Sequence, residues 1–184
     1  MDCTRRFIHF IAVVILTIAT RTQTTQASNP IKISGGEDHT LVLTENQVVW
    51  ACGPNGDPIY FSYYGVLGTG STDYSLIEET LTRVYGGAMN TTYLQDINDI
   101  SAGWMHSLAL DVNRFVWSWG WNDKGQLGDP EIDYATTPIR VHGLNNIGYL
   151  ENIIAISAGR SGRHSLALDA NNFVWGWGKN CLIL

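Results

Sequence analysis

One stretch of sequence is written three times in this chain, and this repetition limits the fold more than any other feature. The clearest copy has Ile-Ser-Ala-Gly at 100–103, followed by His-Ser-Leu-Ala-Leu-Asp at 106–111. The same letters return at 156–159 and 164–169, and a degenerate copy lies at 33–43. Each copy then runs into a Val-Trp segment that ends in glycine. Those glycines are Gly53, Gly120 and Gly178, with spacings of 67 and 58 residues. Such a period is typical of supersecondary units that stack side by side.

The pattern within a copy is that of β-structure. Residues 107–110 alternate in size and polarity, which indicates a half-buried strand. A polar turn follows at 111–114, where Asn113 tolerates a left-handed backbone conformation. Residues 115–119 form a second β-rich strand, and a further strand is predicted to begin at Pro138. Each copy therefore holds about four short antiparallel strands, and the predicted fold class is all-β, with one propeller blade for each repeat.

The amino terminus has the composition of an export signal. Arg5 and Arg6 precede an apolar run at 7–19, and a polar, Thr-rich stretch continues to Ala27. A basic start, a short apolar centre and a small residue at the end are typical of a secretory signal peptide. The apolar run has 13 residues, fewer than the roughly 20 that span a bilayer. We therefore predict a signal peptide at 1–27 and a secreted or periplasmic protein, with an uncleaved membrane anchor as the alternative.

The remaining domain, 28–184, divides into repeats at about 33–99, 100–155 and 156–184, and the third repeat is truncated. A formal charge of −6 and an isoelectric point near 5.2 differ from the basic surface of nucleic-acid-binding proteins. We therefore expect a protein partner rather than nucleic acid, and no membrane partner once the signal is removed.

Three histidines occupy the same position of the repeat: His39, His106 and His164. A metal triad would require their nitrogens to converge at about 2.0–2.1 Å from one ion, which separate blades make difficult. We instead predict buried imidazoles that hydrogen-bond to backbone within their own blade, and no metal or other cofactor. Cys52 replaces a strand tryptophan of the other copies and is predicted to be a small core residue. No disulfide with Cys181 is expected, because the two come from non-adjacent repeats.

Five tryptophans recur on the predicted strands: Trp50, Trp117, Trp119, Trp175 and Trp177. They could stack on bases or sugars, but no basic residues are interleaved with them, so packing between blades is the favoured interpretation. Trp117 and Trp175, together with the repeated histidines and glycines, are predicted to build the blade rather than a binding site.

The chain carries no catalytic signature. It has no phosphate-binding loop, no nucleophile elbow, no paired His-Glu metal motif and no Cys-x-x-Cys. Asp111 and Asp169 recur in register, which favours a role in turns over a role as acids. The sequence predicts that the protein is not an enzyme.

Partner recognition is expected where the copies differ. In the first copy Gly65 lies ten positions after Asn55, whereas in the second copy Gly125 lies only three positions after Asn122. The insertion contains four aromatic side chains that could anchor a protein partner: Tyr60, Phe61, Tyr63 and Tyr64. Its alternative role is to fold back against the adjacent blade. The third copy inserts residues that place Arg160 and Arg163 on a loop. The two arginines could contact an anion, and the alternative is that the loop is simply solvated.

The repeat resembles that of the regulator of chromosome condensation family, whose unit reads roughly A-G-x-x-H-S-L-A-L, then V-x-x-W-G-x-N-x-x-G-Q-L-G, then P-x-x-V. The matching residues of the second copy are Ala102, Gly103, His106, Trp119, Gly120, Asn122, 125–128, Pro138 and Val141. The resemblance implies the seven-bladed β-propeller of intact relatives. Seven units would need roughly 400 residues, so we expect an incomplete propeller of about three four-stranded antiparallel blades.

An incomplete propeller leaves unpaired sheet edges, which favour self-association. From the resemblance and the signal peptide we predict an exported, non-catalytic scaffold for protein–protein recognition. The family implies two alternatives, a guanine-nucleotide exchange activity and a secreted enzyme-inhibitor module.

Overall fold

The structure, a computed structural model, describes residues 28–56, 65–73 and 75–179. The predicted signal peptide lies outside these ranges. The same holds for five side chains singled out above: Tyr60, Phe61, Tyr63, Tyr64 and Cys181. No helix in the described ranges is long and apolar enough to cross a bilayer.

The described chain folds into three antiparallel sheets. The first consists of β1 (Pro30–Gly35), β2 (Thr40–Thr44), β3 (Val49–Pro54) and β4 (Ile77–Arg83). The second consists of β5 (Ile97–Ala102), β6 (His106–Asp111), β7 (Val116–Trp121) and β8 (Tyr134–Arg140). The third consists of β9 (Ile153–Ala158), β10 (His164–Asp169) and β11 (Val174–Gly178). Strands are hydrogen-bonded in chain order within every sheet, so each sheet is a meander. The predicted all-β fold of small stacked sheets is confirmed.

Corresponding strands pair in the same register in successive sheets. Ser107 lies opposite Trp119 in the second sheet, and Ser165 lies opposite Trp177 in the third. Each sheet begins slightly before the repeated letters of the sequence. The second sheet starts at Ile97, three residues before position 100, because β5 begins upstream of the shared letters and includes the first three of them. The connections between sheets carry two 3₁₀ turns, Gly87–Met89 and Leu144–Asn146.

The turn between the two central strands is organised by its aspartate. The Asp111 Oδ1 accepts hydrogen bonds from the backbone N–H groups of Asn113 and Phe115, both at 2.9 Å. Its Oδ2 accepts a third from the Trp117 indole at 2.9 Å. The left-handed residue of this turn is Arg114, with φ of 67°, so the expectation for Asn113 is wrong by one position. The aspartate bonds supply the local order that lets an arginine occupy this conformation.

The core lies between the sheets. One apolar cluster joins the first sheet, through residues such as Leu41 and Val49, to Trp117 and Trp119 of the second. A second cluster joins Leu108 of the second sheet to the third. Cys52 is buried, as its place in the repeat predicts. Because every sheet covers its neighbour, the central strands β6 and β7 are buried on both faces, apart from a half-exposed residue at the end of β7.

Candidate functional site

The meander topology sends two sets of loops to opposite ends of the sheets. The turns before β2, β6 and β10 and the loops before β4 and β8 emerge at one end, because antiparallel strands reverse at each connection. We call this end the upper rim. The aspartate turns emerge at the other end, the lower rim. Arg160 and Arg163 belong to the upper rim, and so do the described residues on either side of the aromatic insertion, Gly56 and Gly65.

Three side chains from the second and third sheets stack on the upper rim. Trp104 and Trp121 meet edge to face, with ring centroids 5.5 Å apart. The Arg163 guanidinium carbon lies 4.0 Å from the centroid of Trp121 and 4.7 Å from that of Trp104. All three residues are half-buried. A guanidinium held this close to two indole rings is a cation–π arrangement, and it fixes the orientation of all three groups.

Charged residues surround the stack. Arg163 donates a hydrogen bond of 2.7 Å to the Asp123 Oδ2, and Lys124 lies 3.1 Å from the same oxygen. Arg160 is exposed on the turn that carries Arg163. The Arg163 guanidinium is thus already paired, and an anion at this position would compete with Asp123. We name Trp104, Trp121, Asp123, Lys124 and Arg163 the rim cluster.

The two tryptophans of the rim cluster were missed by the sequence analysis. The first copy has Glu37 in place of Trp104 and Pro54 in place of Trp121, and the third has Lys179 at the latter position. A comparison of the copies could therefore have identified the two tryptophans, because both occur in the second copy alone. This difference between the copies is easily overlooked, because tryptophan is also frequent on the blade strands.

The repeated histidines connect neighbouring sheets. The His39 Nε2 lies 2.8 Å from the Ser107 Oγ of the next sheet, and that hydroxyl donates to the Val66 carbonyl at 3.1 Å. The His106 Nε2 lies 3.0 Å from the equivalent Ser165 Oγ. For the Nε2 atoms of His39 and His106, the prediction of a hydrogen bond to backbone within the same blade is therefore wrong. The partner is a side-chain hydroxyl one sheet further along, a pairing that the repeat letters alone do not reveal.

Burial keeps these imidazoles neutral. Desolvation lowers the pKa of His39 to about 4. Desolvation, together with the repulsion that His39 and His164 would exert once protonated, lowers the pKa of His106 to about 3. No group of three or more metal-ligating side chains occurs among the described residues. The arrangement suits a neutral link between sheets, since a buried charge would be costly here.

Indole groups add a second set of links between sheets. The Trp119 Nε1 donates to the Val66 carbonyl at 2.9 Å, so that carbonyl accepts bonds from two residues of the next sheet. The Trp177 Nε1 donates in the same way to the Gln126 carbonyl at 2.9 Å. These indoles hold one sheet against the next and are not presented as stacking platforms for a ligand.

Known proteins with similar sequences contain the same repeat. The sequence profile of the regulator of chromosome condensation (RCC1) repeat matches residues 115–168, and a second profile of that description matches residues 97–126. The chain is 28% identical over 148 residues to the ultraviolet-B receptor UVR8 of Arabidopsis thaliana, covering 80% of this chain and 29% of the relative. It is 32% identical over 148 residues to the secretion-regulating guanine nucleotide exchange factor of Bos taurus, covering 80% and 27%.

Solved structures show the same fold. Human WBSCR16 superimposes with a TM-score of 0.65 at 19% identity, covering 89% of this chain and 37% of the other. Prp20p of Saccharomyces cerevisiae superimposes with a TM-score of 0.61 at 23% identity, covering 88% and 33%. The chain spans less than two fifths of the length of each of these four proteins. The chain has three stacked β-meanders, and the repeat profiles match residues of the second and third. Similar proteins have the same repeat and the same fold. The chain therefore belongs to the regulator of chromosome condensation repeat family.

Proposed function

We propose that this chain is an exported, non-catalytic β-propeller scaffold that recognises a protein through the rim cluster. The observation that carries the proposal is the Trp104–Arg163–Trp121 stack, because it lies where the three copies differ and at the end of the sheets where the variable loops emerge. Residues shared by every copy hold the sheets together. Residues that occur in only one copy are not required for the shared fold, so they can vary to suit a partner.

The composition of the rim cluster suits a protein interface. Tryptophan and arginine dominate the binding energy of protein interfaces, since they bury large areas in well-packed positions. The stack and the bond to Asp123 already restrict the Arg163 side chain, so less conformational entropy is lost when a partner covers it. The solved relative Prp20p was studied for its binding to Gsp1p and histones, which supports protein recognition as a use of this fold.

Export, the first part of the proposal, is supported by the basic, apolar and polar segments that follow one another in residues 1–27. Expression of the whole chain in a secreting host should release a product that begins near Ser28. Mass spectrometry of the amino terminus would measure this. Retention of residues 1–27 on a membrane-bound product would instead support the uncleaved anchor.

The recognition half can be tested with two matched variants. The rim variant carries Trp104→Ser and Trp121→Ser, and the control variant carries Val112→Ser and Ile147→Ser, two exposed apolar residues on the lower rim. Each is immobilised and exposed to the extracellular fraction of the source, and bound proteins are quantified by mass spectrometry. A partner recognised by the rim cluster should fall by about tenfold or more with the rim variant and be unchanged with the control. Equal recovery by both variants would contradict the proposal.

A guanine-nucleotide exchange activity is the second candidate, favoured by the 32% identity to a relative that carries this name. An exchange factor accelerates the release of labelled nucleotide from a small GTPase, and a recognition scaffold does not. Adding the purified chain to a panel of GTPases loaded with fluorescent GDP separates the two candidates.

A further inference from the structure

One connection between sheets carries the acceptor pattern for N-linked glycosylation. Residues 90–92 read Asn-Thr-Thr, which fits Asn-x-Ser/Thr with a middle residue other than proline. No other asparagine of the chain is followed two positions later by serine or threonine. Because so short a pattern also occurs by chance, its meaning depends on where the fold places these three residues.

The triplet lies on the connection between the first and second sheets. This connection leaves the end of β4, contains the 3₁₀ turn Gly87–Met89 and leads into β5. The Ile97 N–H at the start of β5 donates to the carbonyl of Gln47 at 3.1 Å. Gln47 belongs to the turn between β2 and β3 on the lower rim. The connection therefore runs along the lower-rim side of the sheets, away from the rim cluster.

The acceptor side chain is open to solvent. Asn90 and Thr92 are exposed, and Thr91 between them is half-buried. Among the residues that the structure describes, none forms a hydrogen bond with the side-chain amide of Asn90. A sugar attached to the Asn90 Nδ2 would therefore displace water and break no hydrogen bond of the described fold.

The turn accounts for the asparagine of the triplet. Asn90 ends the 3₁₀ turn with φ of 59° and ψ of 30°, a left-handed conformation that asparagine adopts more readily than most residues. The next connection has Asn146 with φ of 62° in its own 3₁₀ turn. Asparagine is thus a turn residue in both connections. Two positions after it, however, the next connection has Gly148 where the first has Thr92.

The turn does not account for the Thr92 side chain. The Thr92 carbonyl accepts a hydrogen bond of 3.3 Å from the Gly86 N–H, but any residue supplies a carbonyl. The Thr91 hydroxyl donates to the Tyr93 carbonyl at 2.7 Å, whereas the Thr92 hydroxyl bonds to nothing within the described ranges. The hydroxyl that the acceptor pattern requires is therefore the one that the turn does not use.

We propose that Asn90 is a site of N-linked glycosylation when the chain is exported through the lumen of a eukaryotic secretory pathway. The proposal rests on the export part of the proposed function and adds a modification to it. The oligosaccharide covers the lower-rim side of the molecule and leaves the rim cluster open to a protein partner.

The donor is a lipid-linked oligosaccharyl diphosphate, which the lumen of the pathway supplies together with the transferase. The Asn90 Nδ2 forms a bond to C1 of the first sugar and gives up one proton. The bond between C1 and the phosphate oxygen breaks, and the diphosphate leaves with the bonding electron pair. The product is a glycan joined to the asparagine through an amide nitrogen.

The test expresses the chain in cultured animal cells in two forms. One form keeps residues 1–27, and the other has the signal peptide of an established secreted protein in their place. Chain from the medium and from the cells is weighed intact, before and after digestion with a peptide N-glycosidase. We expect the form with the foreign signal peptide to carry one glycan, and digestion to remove it and convert Asn90 to aspartate.

Three variants of the form with the foreign signal peptide test the assignment to the triplet. Asn90→Gln and Thr92→Ala should each abolish the added mass, because the acceptor pattern is lost. Thr91→Ala is the matched control and should keep the glycan. The control loses the 2.7 Å bond to the Tyr93 carbonyl, while Thr92→Ala loses no bond of the described fold. Loss of folding therefore cannot explain a glycan that is absent from Thr92→Ala alone.

The two forms separate the failure of this proposal from the failure of export. Cleavage of the foreign signal peptide shows in the measured mass that the chain reached the lumen. A cleaved chain without a glycan would overturn the proposal, as would a glycan that persists in Asn90→Gln. A glycan on the form with the foreign signal peptide but not on the form with residues 1–27 would support the site and contradict export.

Discussion

Replacement of Ser107 by alanine tests the link between the sheets most directly. The hydroxyl is fully buried, lies 2.8 Å from the His39 Nε2 and donates to the Val66 carbonyl at 3.1 Å. Without it, the carbonyl keeps the Trp119 indole as a donor, but the imidazole nitrogen is left without a partner. A buried polar group stripped of its hydrogen bond costs about 1–3 kcal/mol. We therefore expect Ser107→Ala to lower the free energy of unfolding by about 2 kcal/mol.

The measurement is equilibrium unfolding in urea, followed by tryptophan fluorescence. Ser157→Ala is the matched control, because Ser157 lies exposed on β9 and surface substitutions change stability by about 0.5 kcal/mol or less. Adding His39→Ala to each background completes a double-mutant cycle, in which contacting residues show a coupling energy of about 0.5–3 kcal/mol. If Ser107→Ala behaved like Ser157→Ala, or if the coupling were zero, the hydroxyl would not join the two sheets.

Two further predictions concern the buried histidines and the glycines of the loop after β7. His39 and His106 have pKa values lowered to about 4 and about 3 by burial, while the unfolded chain takes up these protons near pH 6.5. Stability should therefore be full above pH 6.5 and fall as the pH drops toward 4, and urea midpoints that do not change between pH 7 and pH 5 would contradict this. Gly128 has a φ of 70°, and a Cβ there would lie 2.7 Å from the Val141 Cγ1. Gly125 has a φ of 79° but open space around it. Gly128→Ala should lower the melting temperature clearly more than Gly125→Ala, since only the first adds a clash to the backbone strain, and equal shifts would refute the packing argument.

The strands and turns of the chain were predictable because they depend on interactions between residues close together in the sequence. The alternation at 107–110 identified a strand, and the recurrence of Asp111 with Asp169 identified a turn. Both depend on residues within a few positions of one another. The shift of the left-handed residue from Asn113 to Arg114 shows the limit of this reasoning, since three hydrogen bonds to one carboxylate outweighed the preference of a single side chain.

The candidate site was less predictable because its members meet only when sheets pack. Arg163 was found as a loop residue, but its contacts with Asp123, 40 positions earlier, and with Trp121 depend on the stacking of the third sheet on the second. Comparison of the copies could have found the tryptophans, although not their arrangement. The aromatic insertion that the sequence offers as a candidate partner-binding loop, from Tyr60 to Tyr64, lies outside the described residues and stays a prediction.

The amino-acid sequence by itself determined the strands, the turns, the repeat and hence the succession of small sheets, because backbone periodicity and turn chemistry act over a few residues. The tertiary structure alone decided which atoms join one sheet to the next. The link from His39 to Ser107 spans 68 positions, and each copy has a histidine followed by a hydroxyl residue, Thr40 in the first and serine in the other two. Nothing local distinguishes a bond within a sheet from a bond to its neighbour. The hydrogen-bond partner of the imidazole is determined only when the sheets pack against each other and exclude water from it.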